Sequence, residues 1–160
     1  MSNQDLFTNA VVYKSTTTPN RTFQCIIDHQ DDEKYVILRL TPYDTTTNSE
    51  AIEDRWVLAS TETEAYHSDI KNWYCSNTAD AHKNIWRSPV CMGGGIIKVD
   101  HENKTVKTWG TSGGYGDPPL EIVEQILKTV YEPQGYQLDI KITDEVRELI
   151  KPKHRGYWAD

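Results

Sequence analysis

The chain is poor in the residues that cross-link or anchor small proteins. It has three cysteines in 160 residues, and none of them stands in CxxC spacing. An odd number without that spacing disfavours both a disulfide framework and a structural zinc site. No apolar run approaches a membrane span, and the first residues, MSNQDLF, lack the basic-then-apolar order of a secretory signal. We therefore expect a cytoplasmic protein with no membrane association.

Positive charge is also scarce. Lysine and arginine number 17 against 24 aspartates and glutamates, so that the formal net charge is −7. Nucleic acids and acidic membrane surfaces bind proteins that present a positive field, and neither is expected as a partner. A small anion remains compatible with this charge if a few cations and backbone amides surround it.

The composition that is present suits one globular domain. Hydrophobic residues make up 37% of the chain and include five tryptophans and nine tyrosines. A chain of this length can bury a sizeable core without cross-links. We expect a single domain over residues 1–160, with a loose polar arm over about 1–20 and a C-terminal extension over 143–160.

Several segments have the composition or alternation of β-strands. The clearest are TFQCIID at 22–28, KYVILRL at 34–40, RWVLAS at 55–60 and YQLDIKI at 136–142. The near-continuous apolar run KYVILRL predicts a central strand that is covered on both faces. IIKVD and TVKTWG flank the turn sequence HENK and predict a hairpin.

The first helix has two conflicting start signals. Tyr66, Ile70 and Trp73 recur at helical spacing. Thr61 with Glu64 fits a capping box, which would begin the helix before Tyr66. We favour the later start, which leaves ETEA in the preceding loop.

A second helix is predicted where two prolines open LEIVEQILKTVYE. Its apolar stripe consists of Leu120, Val123, Leu127 and Val130. Thr143 would cap a short third helix, DEVRELI. The predicted fold is α+β, with a mixed β-sheet flanked by two main α-helices plus a short C-terminal helix.

Four segments together resemble a known family. KYVILRL, AYHSDI, CMGGGIIKVD and TSGGYGDPPLEIVEQIL stand in the order and approximate spacing of motifs of the small phosphohistidine phosphatases, the janus/ocnus family. The resemblance runs from about Thr22 to Ile140. It implies a mixed sheet with a helix on each side and hydrolysis of the phosphoramidate bond of phosphohistidine, or of phospholysine. It also implies activity without metal or cofactor, phosphohistidine-containing proteins as partners and inorganic phosphate as product. We expect a monomer.

The resemblance assigns roles to individual residues. His67 matches the family's catalytic histidine, and Lys34 matches its phosphate-side lysine. Ser68 stands where the family contributes a backbone amide. Ser112 and Gly114 match the loop residues that bind phosphate.

The glycine-rich loop, taken alone, is typical of an ordinary turn before a helix. Together with the other motifs, it fits a phosphate loop, because Gly113 and Gly114 let phosphate oxygens approach the backbone with no Cβ in the way. Ser112 adds a hydroxyl donor. Backbone N–H groups of such loops and of helix N-termini are ready anion ligands.

His67 is the candidate catalytic group. An imidazole with an ordinary pKa of about 6.5 is mostly neutral at cytosolic pH. It can take a proton from the attacking water, or it can attack phosphorus itself, and both routes stay open. We favour the general base. A lone histidine on such a helix would be interpreted as a surface residue, and four others are so interpreted: His29, His82, His101 and His154.

Two other motifs suggest phosphate chemistry but lack the required pattern. Cys75 and Cys91 have no following arginine of the kind that a cysteine phosphatase requires. The triplet Gly93, Gly94 and Gly95 lacks a nucleotide-binding pattern and precedes a strand. We interpret the cysteines as inert and the triplet as a structural bend.

The sequence departs from the family at its arginines. Ile96 occupies the position of the arginine that follows the glycine triplet, and Arg55 is a candidate for the arginine that precedes the catalytic helix. Arg87 and Lys98 are other cations that could compensate. Loss of guanidinium donors weakens bidentate phosphate recognition. The alternatives to the enzyme are therefore a phosphoprotein-binding module of low or no activity and, third, a structural protein.

Overall fold

The computed structural model describes most of the region that carries the motifs. The described residues are 12–15, 21–29, 31–42, 54–64, 66–82, 87–112 and 114–140. Gly113, most of the predicted N-terminal arm and the predicted third helix lie outside them.

The described residues form one mixed sheet and two helices. In chain order the strands are β1 (Tyr13–Lys14), β2 (Arg21–Ile27), β3 (Glu33–Leu40), β4 (Asp54–Ser60), β5 (Val90–Asp100), β6 (Thr105–Trp109) and β7 (Gln137–Ile140). The helices are α1 (His67–His82) and α2 (Leu120–Tyr131), and a 3-10 turn (Glu132–Gln134) follows α2. The predicted α+β fold with two main helices is confirmed.

The strand order places β3 in the centre. The order is β1-β2-β4-β3-β5-β6-β7, and β3 runs antiparallel to both of its neighbours, β4 and β5. The strands β2 and β4 pair in parallel, as do β6 and β7. The crossover from β4 to β5 contains α1, and the crossover from β6 to β7 contains α2. The predicted hairpin is β5–β6, with Asp100 paired to Thr105.

The side chains of β3 alternate between the two apolar clusters that lie on opposite faces of the sheet. Tyr35 and Ile37 belong to the apolar cluster that includes α2, whereas Val36 and Leu38 belong to the cluster that includes α1. All four side chains are fully buried. Side chains of a strand alternate between the faces of a sheet, so a strand with helices on both faces is apolar throughout. The prediction of a central, doubly covered strand is confirmed.

Two boundary predictions have different outcomes. The loose-arm prediction is wrong for Tyr13–Lys14, which pairs with Phe23 and Thr22 of β2 as an edge strand. The later start of the first helix is confirmed, because α1 begins at His67. Thr61 instead donates from its hydroxyl to Asp28 Oδ2 at 2.9 Å, which holds the turn after β4.

The apolar stripe of α2 is partly wrong. Val123 and Leu127 are buried as predicted, but Leu120 is 44% exposed. The other buried positions include Ile122 and Ile126. A helix turns by about 100° per residue, so a face centred on these four positions leaves Leu120 at its edge, in the first turn. Neither described helix is long and apolar enough to cross a membrane.

Candidate functional site

Lys34 begins the site at the N-terminal end of β3. Its side chain lies on the α1 face, because Val36 and Leu38 of the same strand pack there. Only 3% of Lys34 is exposed. Its Nζ lies 5.4 Å from the centroid of the Tyr66 ring, the residue directly before α1. A strand-end lysine that points into solvent is therefore excluded, and the ammonium group is held against an aromatic face.

His67 lies against the backbone of β5. It is the first residue of α1 and is 1% exposed. Its Nε2 lies 3.1 Å from the carbonyl oxygen of Gly95. A carbonyl only accepts, so Nε2 carries the hydrogen and donates it. In the neutral ring Nδ1 then holds the lone pair, which makes it the basic nitrogen.

The glycine triplet leaves the space in which the imidazole of His67 packs. A Cβ on Gly94 would lie 2.5 Å from Tyr35 O and 2.6 Å from His67 Cδ2, and a Cβ on Gly95 would lie 2.8 Å from Trp109 O. The predicted bend exists, since the β3–β5 register shifts beside the triplet. The close approach of His67 to the triplet is absent from the sequence-based predictions. Three consecutive glycines inside a strand are a signal for such an approach.

The N-terminus of α1 presents backbone donors beside His67. In the first turn of α1, Ile70 N–H donates to Tyr66 O at 3.1 Å. The amides of His67, Ser68 and Asp69 therefore precede the region where helical acceptors exist. Together they form the positive end of the helix dipole, and Ser68 is exposed there.

The glycine-rich loop is a closed turn attached to β5. Ser112 N–H donates to Gly116 O at 3.3 Å, and Gly116 N–H donates to Ser112 O at 2.7 Å. Ser112 Oγ accepts from Tyr115 N–H at 3.1 Å. Gly94 N–H reaches Gly116 O at 3.4 Å, which attaches the turn to the glycines under His67. Ser112 thus shapes the turn, a role that its sequence motif does not predict.

Gly116 is the turn residue whose backbone demands glycine. Its φ is +84°, in the left-handed region, and the space around a Cβ there is open. Gly114 is exposed at the tip of the same turn, and Gly113 lies outside the described residues.

The predicted site residues therefore fall into two groups. Lys34, His67 and the Ser112 turn all contact or adjoin the segment of β5 from Gly94 to Ile96, since Lys34 is the pairing partner of Ile96. Arg55 is not brought to them. It pairs with Leu40, at the opposite end of β3 and about 20 Å from Lys34 at 3.3 Å per residue.

Arg55 has a different environment from the one predicted for it. Its Nε donates to Thr22 Oγ1 at 3.2 Å. Burial lowers the pKa of the guanidinium, although that shift does not uncharge an arginine. Arg55 stabilises the β2–β4 pairing and does not replace the family's arginine.

The other candidate cations also differ in position. Ile96 is buried directly opposite Lys34, so the arginine position has no positive charge here. Arg87 N–H donates to Thr41 O, which places that residue at the far end of β3. Lys98 lies two residues beyond Ile96 on the same face of β5 and is partly exposed. Lys98 is the better placed of the two to compensate.

One histidine prediction is wrong. The interpretation of His29 as a surface residue fails, because the residue is only 6% exposed. Its ring contacts Asp31 O and Ser60 Oγ, and burial lowers its pKa. The prediction failed because the surrounding segment, HQDDE, is polar, although the fold buries its histidine. His101 is exposed as predicted, and the side chains of His82 and His154 lie outside the described set.

The cysteines have the environment of inert thiols. All three are unbridged. Burial raises the pKa of the Cys25 thiol to about 12 and also raises the pKa of Cys75. Cys91 Sγ lies 3.6 Å from Gly93 O, a weak hydrogen-bond contact. A reactive cysteine needs a lowered pKa, so Cys25 and Cys75 are poor nucleophiles.

Comparison with known proteins agrees with the sequence motifs. The family model described as Janus/Ocnus family (Ocnus) matches residues 21–135. A curated relative, the sex-regulated protein janus-A of Drosophila pseudoobscura pseudoobscura, is 28% identical over 119 residues, which cover 74% of this chain and 73% of the relative. The matched range extends from β2 to the 3-10 turn and contains every residue of the candidate site.

Proposed function

Because this chain belongs to the Janus/Ocnus family, we propose that it is a protein-histidine phosphatase. It hydrolyses the phosphoramidate bond of phosphohistidine, or of phospholysine, with His67 as general base and without a metal. The observation that carries the proposal is the convergence of His67, Lys34 and the Ser112 turn on one segment of β5.

His67 supplies the base. Its Nε2–H is committed to Gly95 O, so Nδ1 is the nitrogen that accepts a proton from water. The water oxygen forms a bond to phosphorus while the phosphorus–nitrogen bond breaks. The proton held on Nδ1 passes to the departing nitrogen, directly or through solvent, and inorganic phosphate leaves. The substrate's side chain is thereby restored to its unphosphorylated form.

Three kinds of donor hold the phosphoryl oxygens. Lys34 supplies a positive charge in a nearly buried position, where screening by water is weak. The amide of Ser68 lies at the positive end of α1, and the turn adds the amide of Gly114 and the hydroxyl of Ser112. Phosphoryl transfer depends mainly on such positioning and charge stabilisation, so no covalent machinery is required.

A second candidate function is a phosphoprotein-binding module. It is favoured by Ile96, which puts a buried apolar side chain opposite Lys34 at the position of the family's arginine. A guanidinium there would make two parallel hydrogen bonds to phosphate. Without it, the remaining donors support binding of a phosphorylated partner at reduced turnover.

The deciding experiment measures phosphate release and binding in EDTA. The wild-type protein is incubated with phosphoramidate and with a histidine-phosphorylated protein, each with and without the chelator. Release in both conditions supports the metal-free phosphatase. Binding of the phosphorylated protein without release favours the binding module, and neither activity favours a structural protein. Release that stops in EDTA contradicts the metal-free mechanism.

We expect Lys34→Ala to raise the KM for phosphoramidate by about 10- to 100-fold, because a hydrogen bond to a charged group contributes about 1.5–3 kcal/mol. Lys34→Arg keeps the charge and should recover part of the loss. Steady-state phosphate release measures both. Lys128→Ala is the matched control, since that lysine is exposed on α2. Equal KM values for Lys34→Ala and Lys128→Ala would remove Lys34 from the site.

A further inference from the structure

A buried chain of polar contacts leads from the β2–β3 connection to the backbone of Lys34. His29 Nδ1 lies 2.7 Å from Asp31 O, and His29 Nε2 lies 2.5 Å from Ser60 Oγ. Ser60 Oγ in turn donates to Lys34 O at 2.5 Å. His29 is 6% exposed and Ser60 is fully buried. The phosphatase mechanism described above uses neither residue.

The available hydrogens decide which atom donates and which accepts in each of these contacts. Lys34 O only accepts, so the one proton of the Ser60 hydroxyl is donated to it. Ser60 Oγ can then accept from His29 Nε2–H. Asp31 O also only accepts, so only a ring with protons on both nitrogens would donate in both of its contacts. Burial outweighs the Asp31 carbonyl and the carboxylates of Glu33, Asp28 and Glu62 and lowers the pKa of His29, and the neutral ring with its hydrogen on Nε2 donates to Ser60 Oγ.

The contacts join the two strands that carry the site. Ser60 is the last residue of β4, and its Cα partner is Tyr35 of β3. The chain that leaves Ser60 leads into α1 and His67. The hydroxyl therefore ties the start of β3, where Lys34 projects, to the strand end that precedes the catalytic helix.

We propose that His29 and Ser60 are positioning residues that hold Lys34 in place for phosphate binding. This inference rests on the phosphate-binding role given to Lys34 in the proposed function. His29 orients the Ser60 hydroxyl, and that hydroxyl anchors the Lys34 carbonyl. Without the anchor, the first residues of β3 pair less firmly and the ammonium group loses its fixed position over Tyr66.

The test compares His29→Leu, His29→Gln and Ser60→Ala. His29→Leu removes the ring nitrogens that contact Ser60 Oγ and Asp31 O, whereas the amide of His29→Gln restores an N–H donor. We expect His29→Leu and Ser60→Ala to raise the KM for phosphoramidate and the Kd for inorganic phosphate about three- to tenfold, the range that loss of one hydrogen bond supports. The kcat should change less than twofold, and His29→Gln should recover most of the loss.

Non-additivity gives a second readout that general destabilisation would not produce. The double variant His29→Leu/Ser60→Ala should bind phosphate no more weakly than either single variant, because both break one chain of contacts. Neither substitution should change the Kd for inorganic phosphate further in a Lys34→Ala background.

His101→Leu is the matched control, since that ring is exposed and contacts Tyr136 Oη. Circular dichroism verifies that each variant is folded, and Ser60→Ala is the milder substitution if His29→Leu does not fold.

The outcomes separate this inference from the phosphatase. Unchanged phosphate Kd in folded Ser60→Ala and His29→Leu overturns the positioning role and leaves the phosphatase untouched. A wild type that binds phosphate without turnover overturns the phosphatase, while the Kd series still decides the role of His29. A wild type that neither binds phosphate nor releases it from phosphohistidine overturns both.

Discussion

His67→Ala should lose phosphohistidine turnover by about 10²- to 10⁴-fold, the usual range for removal of a general acid–base group. The Nε2 of the ring faces a fixed acceptor, Gly95 O, and this contact defines Nδ1 as the basic atom. Phosphate release from a histidine-phosphorylated protein measures the loss. The Kd for inorganic phosphate should change much less, because in the proposed site Lys34 and the backbone amides make the anion contacts.

Two variants make the His67 result specific. His67→Gln can still donate a hydrogen bond to Gly95 O but offers no basic nitrogen, so it should be folded and as inactive as His67→Ala. His101→Ala removes an exposed histidine whose ring contacts Tyr136 Oη, outside the candidate site, and should retain wild-type activity. Retention of more than a tenth of wild-type activity by His67→Ala would refute the general-base role.

Gly94→Ala should lose activity and destabilise the protein by about 2–3 kcal/mol, the upper part of the range for overpacking. The added Cβ would lie 2.5 Å from Tyr35 O and 2.6 Å from His67 Cδ2. Tyr35 is fully buried in the central strand, so its carbonyl cannot yield without disturbing the pairing with β4. The second overlap displaces the imidazole, which then loses its bond to Gly95 O. Urea unfolding followed by tryptophan fluorescence measures the stability.

Gly135→Ala is the matched control for this substitution. That glycine has a φ of +86°, and no heavy atom lies within 4 Å of the place that a Cβ would take, so alanine there meets only backbone strain of about 1–2 kcal/mol. Activity should be kept in Gly135→Ala and lost in Gly94→Ala. A folded Gly94→Ala with wild-type turnover would show that His67 does not need the space left by this glycine.

The strands and helices could be predicted because their signals are local. The continuous apolar run of β3 and the hairpin sequence HENK each depend on neighbouring residues alone, and both predictions are confirmed. The conflict between the capping box at Thr61 and the later start was not resolvable in this way. It depended on Asp28, which lies 33 residues away and takes the Thr61 hydroxyl.

The sequence could propose members of the candidate site, but it could not predict their contacts. Motif order identified Lys34, His67 and the Ser112 loop, and the fold brings them to one segment of β5. Arg55 was a candidate because it precedes the first helix in the chain, and the sequence alone does not give its position in the sheet. Strand register, which pairs Arg55 with Leu40, puts it at the wrong end.

By itself, the amino-acid sequence determined the main strands, the two main helices, the apolar character of the central strand and the residues that are candidates for phosphate chemistry. These properties follow from side-chain periodicity and from side-chain chemistry, which are present in the unfolded chain. Tertiary structure alone decided that His67 rests on the glycine triplet and that His29 is buried against Ser60. Those contacts join residues 28 and 31 positions apart, and strand register and helix packing set such distances.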